Sequence, residues 1–154
     1  MNFTDLNQLV GLVRAKKLKM HVGYNHRYHP AIIKAFEIVK SSEFGEVMFL
    51  RSRYGHGGRV GYEKEWRGDK SKSGGGELID QGVHLIDLSS IFMGEYTQID
   101  GHINTYYWKM DVEDNAFLCL KNKKNNTGNS ICRHKCQVHI AKVVFFYHSL
   151  LVNK

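Results

Sequence analysis

The stretch Ser73-Gly74-Gly75-Gly76-Glu77-Leu78-Ile79-Asp80-Gln81-Gly82-Val83-His84-Leu85-Ile86-Asp87-Leu88 constrains this chain more than any other. Three consecutive glycines have no Cβ to clash, so the backbone there can pass close to a ligand. A helix is predicted to follow, with Glu77 in its first turn suited to the positive end of the helix dipole. At the helical period Glu77, Asp80, His84 and Asp87 fall on one stripe. Leu78, Ile79, Val83, Leu85, Ile86 and Leu88 take much of the remaining circumference. A titratable line on an otherwise apolar helix is costly to bury unless its members have partners or a task. This helix is therefore the first candidate site.

Around it the pattern reads as α/β. Residues 4–17 suit a helix capped by Thr4 or Asp5, with Leu6, Leu9, Val10 and Val13 on its apolar side. Leu18 to Tyr24 alternates as a strand would, and Gly23 would allow close backbone approach there. A helix followed by a strand resembles the last step of a βαβ sheet. After His29-Pro30 a second helix is predicted through Ile32, Ile33, Phe36, Ile38 and Val39, stopping near Phe44-Gly45. Val47–Tyr54 reads as a strand with Arg51 and Arg53 interleaved, and residues 55–76 as an irregular, glycine-rich loop. A loop of that length is more often functional than idle. The opening helix should run to about Met93, followed by strands at Gln98–Trp108 and Glu113–Leu120. Asn122–Ser130 is a polar, low-complexity patch.

Charge distribution argues against one class of partner. The formal net charge is +7, yet residues 1–120 hold 15 Lys/Arg against 15 Asp/Glu. The whole excess lies in the last 34 positions, with 7 Lys/Arg and no carboxylate. No basic face suited to nucleic acid is expected in the first 120 residues. No apolar run approaches the ~20 residues that span a bilayer, and no secretory signal is visible at the N-terminus. Three cysteines without framework spacing suit a reducing compartment, so a cytoplasmic location is expected.

Several constellations admit more than one chemistry. Asp80 and His84 suit either a satisfied surface pair or a proton-transfer pair, in which the aspartate orients the imidazole and holds its cation. Glu77, Asp80, His84 and Asp87 together could offer ligands to a metal, as in a metal-dependent sugar isomerase or hydrolase, although one helix presents few of them to one ion. Asn25 and Arg27 would lie at the carboxyl end of a strand, where open α/β sheets bind ligands, or in an ordinary turn. Glu65-Trp66-Arg67 could put a flat ring and a bidentate donor in a cleft, or simply pin a loop on the core. Cys132-x-His134-x-Cys136-x-x-His139 imitates a zinc site, but its spacing matches no common one. The glycine run lacks the spacing of a dinucleotide fingerprint. A non-catalytic binding protein, or a basic nucleic-acid binder driven by residues 121–154, is a further alternative.

Three segments together carry a resemblance: Val22-Gly23-Tyr24-Asn25-His26-Arg27-Tyr28-His29-Pro30, Tyr62-Glu63-Lys64-Glu65-Trp66-Arg67, and Gly74-Gly75-Gly76-Glu77-Leu78-Ile79-Asp80-Gln81-Gly82-Val83-His84-Leu85-Ile86-Asp87. In this order and spacing they resemble the Gfo/Idh/MocA oxidoreductases, over roughly residues 1–121. The resemblance implies NAD or NADP as cofactor, and hydride transfer to or from a sugar, polyol or related hydroxy compound. It implies Asp80 and His84 as catalytic residues, with Asn25, Arg27, Trp66 and Arg67 at the cofactor or substrate and no metal. It implies a C-terminal domain with an open, mostly antiparallel sheet and helices packed on one face, preceded by the last helix and strand of a Rossmann domain. On that basis residues 1–29 are a nucleotide-domain remnant, 30–121 a partial C-terminal domain, and 122–154 an atypical basic tail. A homo-oligomer is implied for intact members, with neither nucleic acid nor membrane as partner.

The family's glycine-rich βα turn and its Glu-Lys-Pro motif are absent from these residues. Beyond Gly128 the pattern suits a shifted reading frame, since with some codon choices a one-base shift in Gly128–Cys132 gives Ala-Ile-Ala-Phe. The expectation is a fragment that binds NAD(H) or NADP(H) poorly and turns nothing over alone.

Overall fold

The computed structural model describes residues 3–55, 58–124, 127–133 and 139–147. Helix α1 spans Phe3–Ala15 and buries no residue, with Leu6 and Leu12 exposed on it. The alternating residues 18–24 form no strand. A strand exists only through its ladder, and no other described strand lies beside this segment. Nothing lies within 4 Å of where a Cβ on Gly23 would be, so that glycine is not there for a close approach.

Helix α2, Pro30–Ser41, starts where local chemistry says it should. Pro30 occupies the first turn, and the His29 Nδ1 accepts from Ala31 N–H at 3.2 Å. It ends earlier than the periodicity suggests, because Ser42 adopts a left-handed conformation at φ 58. Strand β1, Val47–Gly55, follows. The long loop is not irregular: it holds 3₁₀ turns at Tyr62–Lys64 and Trp66–Gly68 and a short helix α3 at Lys70–Ser73. A π turn, Leu78–Gly82, then leads into helix α4, Val83–Met93.

Strands β2 (Tyr96–Asn104) and β3 (Asn115–Asn122) both begin and end later or earlier than the alternation indicates. The residues between them close on Asp114, which is fully buried. Its carboxylate accepts from the backbone N–H of Tyr106, Tyr107 and Trp108, each at 2.8 Å. Strands β4 (Thr127–Arg133) and β5 (His139–Tyr147) complete one sheet in the order β2-β3-β4-β1-β5. The β1–β4 pair is parallel and the other three are antiparallel. The fold is thus a mostly antiparallel open sheet, with α2 and α4 on one face.

A register shift in β1 between Val47 and Phe49 turns Val47 toward the face that Leu50 occupies. Both are buried there with Phe92 and Met93 of α4, flanked by Ile32, Ala35 and Val39 of α2. Further along α4, Leu85 packs on Ala116 of β3, with Tyr54 and Leu78 around them. Two clusters on one sheet face therefore fix the axis and rotation of α4. No described helix is long and apolar enough to cross a membrane.

Candidate active site

The glycine run is the first positioning device. Gly74 caps α3 at φ 79, a conformation that a side chain resists. A Cβ on Gly76 would meet the Glu113 carbonyl oxygen at 1.9 Å, so the close approach here is to protein backbone. Across that contact Glu77 N–H donates to Glu113 O at 3.0 Å, and Leu78 N–H to Glu113 Oε1 at 3.1 Å. Glu113 thereby satisfies two of the N–H groups that a helix start leaves open.

The titratable stripe then divides. Glu77 is 2% exposed, and the Tyr62 hydroxyl donates to its Oε1 at 3.4 Å. Burial first, then the Glu77 and Asp80 carboxylates, push the Tyr62 phenol well up, so it stays protonated. Asp87 is buried too and takes a bidentate grip from Arg27, with Nε donating to Oδ2 at 2.7 Å and Nη2 to Oδ1. That ion pair fastens the turn Asn25–Tyr28 to α4.

Asp80 and His84 are half-buried and meet different neighbours. Asp80 Oδ2 accepts from Arg67 Nε and from Gln81 Nε2, both at 3.2 Å. The Arg67 guanidinium in turn lies 4.6 Å from the centre of the Trp66 ring, which is 52% exposed. His84 stacks on His26 at 4.3 Å between ring centres, with Tyr24 edge-on at 6.2 Å. Its Nδ1 is buried and has no hydrogen-bond partner. No hydrogen bond joins Asp80 to His84.

The structure therefore gathers the site residues in two groups along one helix: Trp66, Arg67 and Asp80 at its start, and Arg27, His84 and Asp87 a turn or two on. The Asn25 side chain makes no hydrogen bond among the described residues. Among those residues, no group of three or more His, Cys, Asp or Glu could hold a metal ion. Residues 134–138, and with them the Cys/His spacing, lie outside the described residues.

Motif spacing gives no separate role to Tyr24, His26, Arg59 or Glu113. His26 touches His84 across 58 residues of sequence, a contact that no local pattern signals. Burial lowers the His26 pKa, reinforced by His84 and His29 and opposed by Asp87. Two cavities border the Arg67–Asp80 pair. One, about 100 Å³, is backed by Gly75, Gly76 and the buried Glu77. The other, about 380 Å³, is rimmed by Arg59, Tyr62, Glu65 and Gln81.

The family model "GFO/IDH/MocA C-terminal domain" matches residues 32–143, past the point at which the sequence motifs stop. Levoglucosan dehydrogenase of Pseudarthrobacter phenanthrenivorans is 26% identical over 118 residues, which are 75% of this chain and 30% of that enzyme. Among solved structures, GenD2 from gentamicin A biosynthesis, in complex with NAD, superposes with a TM-score of 0.83 at 21% identity, over 93% of this chain and 41% of that one. The WlbA dehydrogenase of Bordetella pertussis, in complex with NADH and UDP-GlcNAcA, does so at 0.85 and 15%, over 96% and 43%. The chain thus spans well under half the length of these relatives.

Proposed function

The chain belongs to the GFO/IDH/MocA family, and from that premise we propose that it supplies the substrate side of an NAD(P)-dependent oxidoreductase acting on a sugar, polyol or related hydroxy compound. The observation that carries this reading is the buried, partnerless Nδ1 of His84, one helical turn from an Asp80 held by Arg67 at the rim of two cavities. Unsatisfied buried polar atoms are uncommon and call for an explanation. A π turn beside them is a second signal of the same kind, since such turns concentrate at functional sites.

The residues present fit the nicotinamide end of a dinucleotide. Trp66 offers an open ring face, Asn25 an unengaged amide, and His84 an unengaged ring nitrogen. Arg27 and Arg67 serve by shape, because Asp87 and Asp80 already hold them. No glycine-rich βα turn occurs in the 154 residues to cradle pyrophosphate, so weak binding of NAD(H) or NADP(H) by this chain alone is expected. When bound, the nicotinamide supplies hydride exchange at its C4 position. His84 takes or returns the proton of the substrate hydroxyl. Asp80, one turn away, offers an acceptor to a second hydroxyl.

Transferred NOEs in a titration with NADH test the assignment. Contacts from the nicotinamide ring protons to Trp66 and His84 are expected; contacts confined to other residues would refute it. Self-association is part of the same proposal. Edge strand β2 leaves Ile99 64% and Ile103 51% exposed. Sedimentation should therefore detect a dimer or larger species, and a strictly monomeric chain at high concentration speaks against it.

A further inference from the structure

The larger cavity carries its charges in a fixed order. Arg59 Nε donates to Glu65 Oε1 at 2.6 Å, Arg67 Nη1 stands 4.0 Å from Glu65 Oε2, and Arg67 Nε donates to Asp80 Oδ2 at 3.2 Å. Two guanidiniums and two carboxylates alternate along the rim and cancel. Glu65 is the pivot of the series. Its side chain is 20% exposed, and its two oxygens serve two different arginines.

We propose that this cleft accepts an uncharged polyhydroxy compound and rejects its phosphorylated or carboxylated counterpart, with Glu65 as the specificity-determining residue. The inference rests on the sugar-site reading above and adds the charge class of the substrate. An anion needs a cation that is not already neutralised, since losing water without such a partner is costly. Both rim arginines face carboxylates, and Glu65 and Asp80 would repel a third anion. Hydroxyls face no such penalty. They donate to the carboxylate oxygens and accept from guanidinium N–H groups, of which each arginine has more than its present partners use.

The test is a titration of the 154-residue chain with sorbitol and, separately, with glucose 6-phosphate at one ionic strength. It is followed by Trp66 fluorescence and by NMR of the Arg59 and Arg67 side chains. Glucose 6-phosphate is expected to bind at least about tenfold more weakly than sorbitol. Glu65→Gln keeps the shape and removes the charge. It should raise the affinity for glucose 6-phosphate about tenfold relative to that for sorbitol. Arg59→Gln should weaken the phosphate further, and it supplies a second test if the Glu65 variant fails to fold. Glucose 6-phosphate binding the native chain as tightly as sorbitol, a folded Glu65→Gln with unchanged phosphate affinity, or a tighter phosphate complex in Arg59→Gln would each overturn the charge inference alone. Binding of neither probe at these signals would refute the sugar-site reading on which it stands.

Discussion

Substituting alanine for each of the three glycines in turn separates backbone packing from conformational freedom at adjacent positions. At Gly76 the new Cβ would sit 1.9 Å from the Glu113 carbonyl oxygen and 2.9 Å from its carbon and nitrogen, all rigid backbone. Non-bonded heavy atoms rest at ~3.5 Å, so the two segments must part by roughly 1.5 Å. The hydrogen bonds from Glu77 N–H and Leu78 N–H to Glu113, at 3.0 and 3.1 Å, cannot survive that separation. Each lost bond is worth ~1 kcal/mol net, and a buried group left unpaired costs ~1–3 kcal/mol. A total of about 3–5 kcal/mol follows, against a domain stability of ~5–15 kcal/mol.

Gly74 has φ 79 and nothing within 4 Å of a Cβ, so its alanine meets only the left-handed backbone penalty of ~1–2 kcal/mol. At Gly75 the obstacle is Ile79 Cδ1 at 2.7 Å, the end of a flexible, half-exposed side chain, and turning it aside costs ~1 kcal/mol. Urea denaturation should rank Gly76→Ala far below the other two, with its midpoint lower by more than about 1 M. Amide exchange at Glu77 and Leu78 should accelerate in that variant alone. Equal midpoints for all three variants, or retained protection at those amides in Gly76→Ala, would refute the reasoning.

Three further outcomes follow from the same structure. Burial, His84 and His29 hold the His26 pKa below its ordinary 6.5. The unfolded chain therefore binds that proton first: this contribution to stability is complete above the ordinary value and is lost as pH falls below it. In an NMR titration His84→Asn should move His26 upward but not fully to 6.5, because burial is the larger cause; an unmoved pKa would remove the stacked pair as a source of the shift. Burial pushes the Asp114 carboxyl up, but backbone donors and the Asn115 amide outweigh it and hold the group below its ordinary 3.8. Its stabilising effect is present above 3.8 and lost as pH falls through the folded value. Asp114→Asn should cost ~2–4 kcal/mol, read as a lower urea midpoint, and a neutral outcome would show that the 106–108 turn does not depend on it. Arg27→Lys cannot reproduce the two parallel bonds to Asp87. Exchange at the Asn25–Tyr28 amides should rise in it and rise further in Arg27→Ala, and unchanged protection in both would show that the ion pair does not hold the turn.

Local chemistry made parts of this fold legible and long-range pairing hid the rest. The start of α2 was readable because His29 and Pro30 act on their immediate neighbours, and α4 because six apolar residues surround its polar stripe. The alternation of residues 18–24 suits a strand, yet a ladder needs an adjacent strand that alternation alone cannot supply. The opposite happened at Thr127–Arg133. Its polar start has low strand propensity, but pairing with β1 on one side and β3 on the other draws it into the sheet. Within the site, Asp80 and His84 stood out as residue types at helical spacing. Their neighbours did not, since Arg27 reaches Asp87 across 60 residues and the contact of Gly76 with Glu113 has no sequence signature.

The π turn explains why four residues drawn on one helical stripe do four different things. An ideal α-helix repeats every 3.6 residues, and on that period Glu77 should share the surroundings of Asp80, His84 and Asp87. Leu78–Gly82 instead closes its hydrogen bonds one residue further on, so the chain takes an extra residue to complete the turn. Residues before that turn are rotated against those after it, and Glu77 is carried inward beneath Tyr62 while Asp80 stays at the rim. Beyond the turn the α-period resumes, so His84 and Asp87 keep their common side, and Arg27 covers the second of them. Both deeply buried carboxylates thus acquire a donor, and the two half-buried groups keep a free edge. The rim is thus left with Arg59 and Arg67 against Glu65 and Asp80, while Glu77 stays beneath Tyr62.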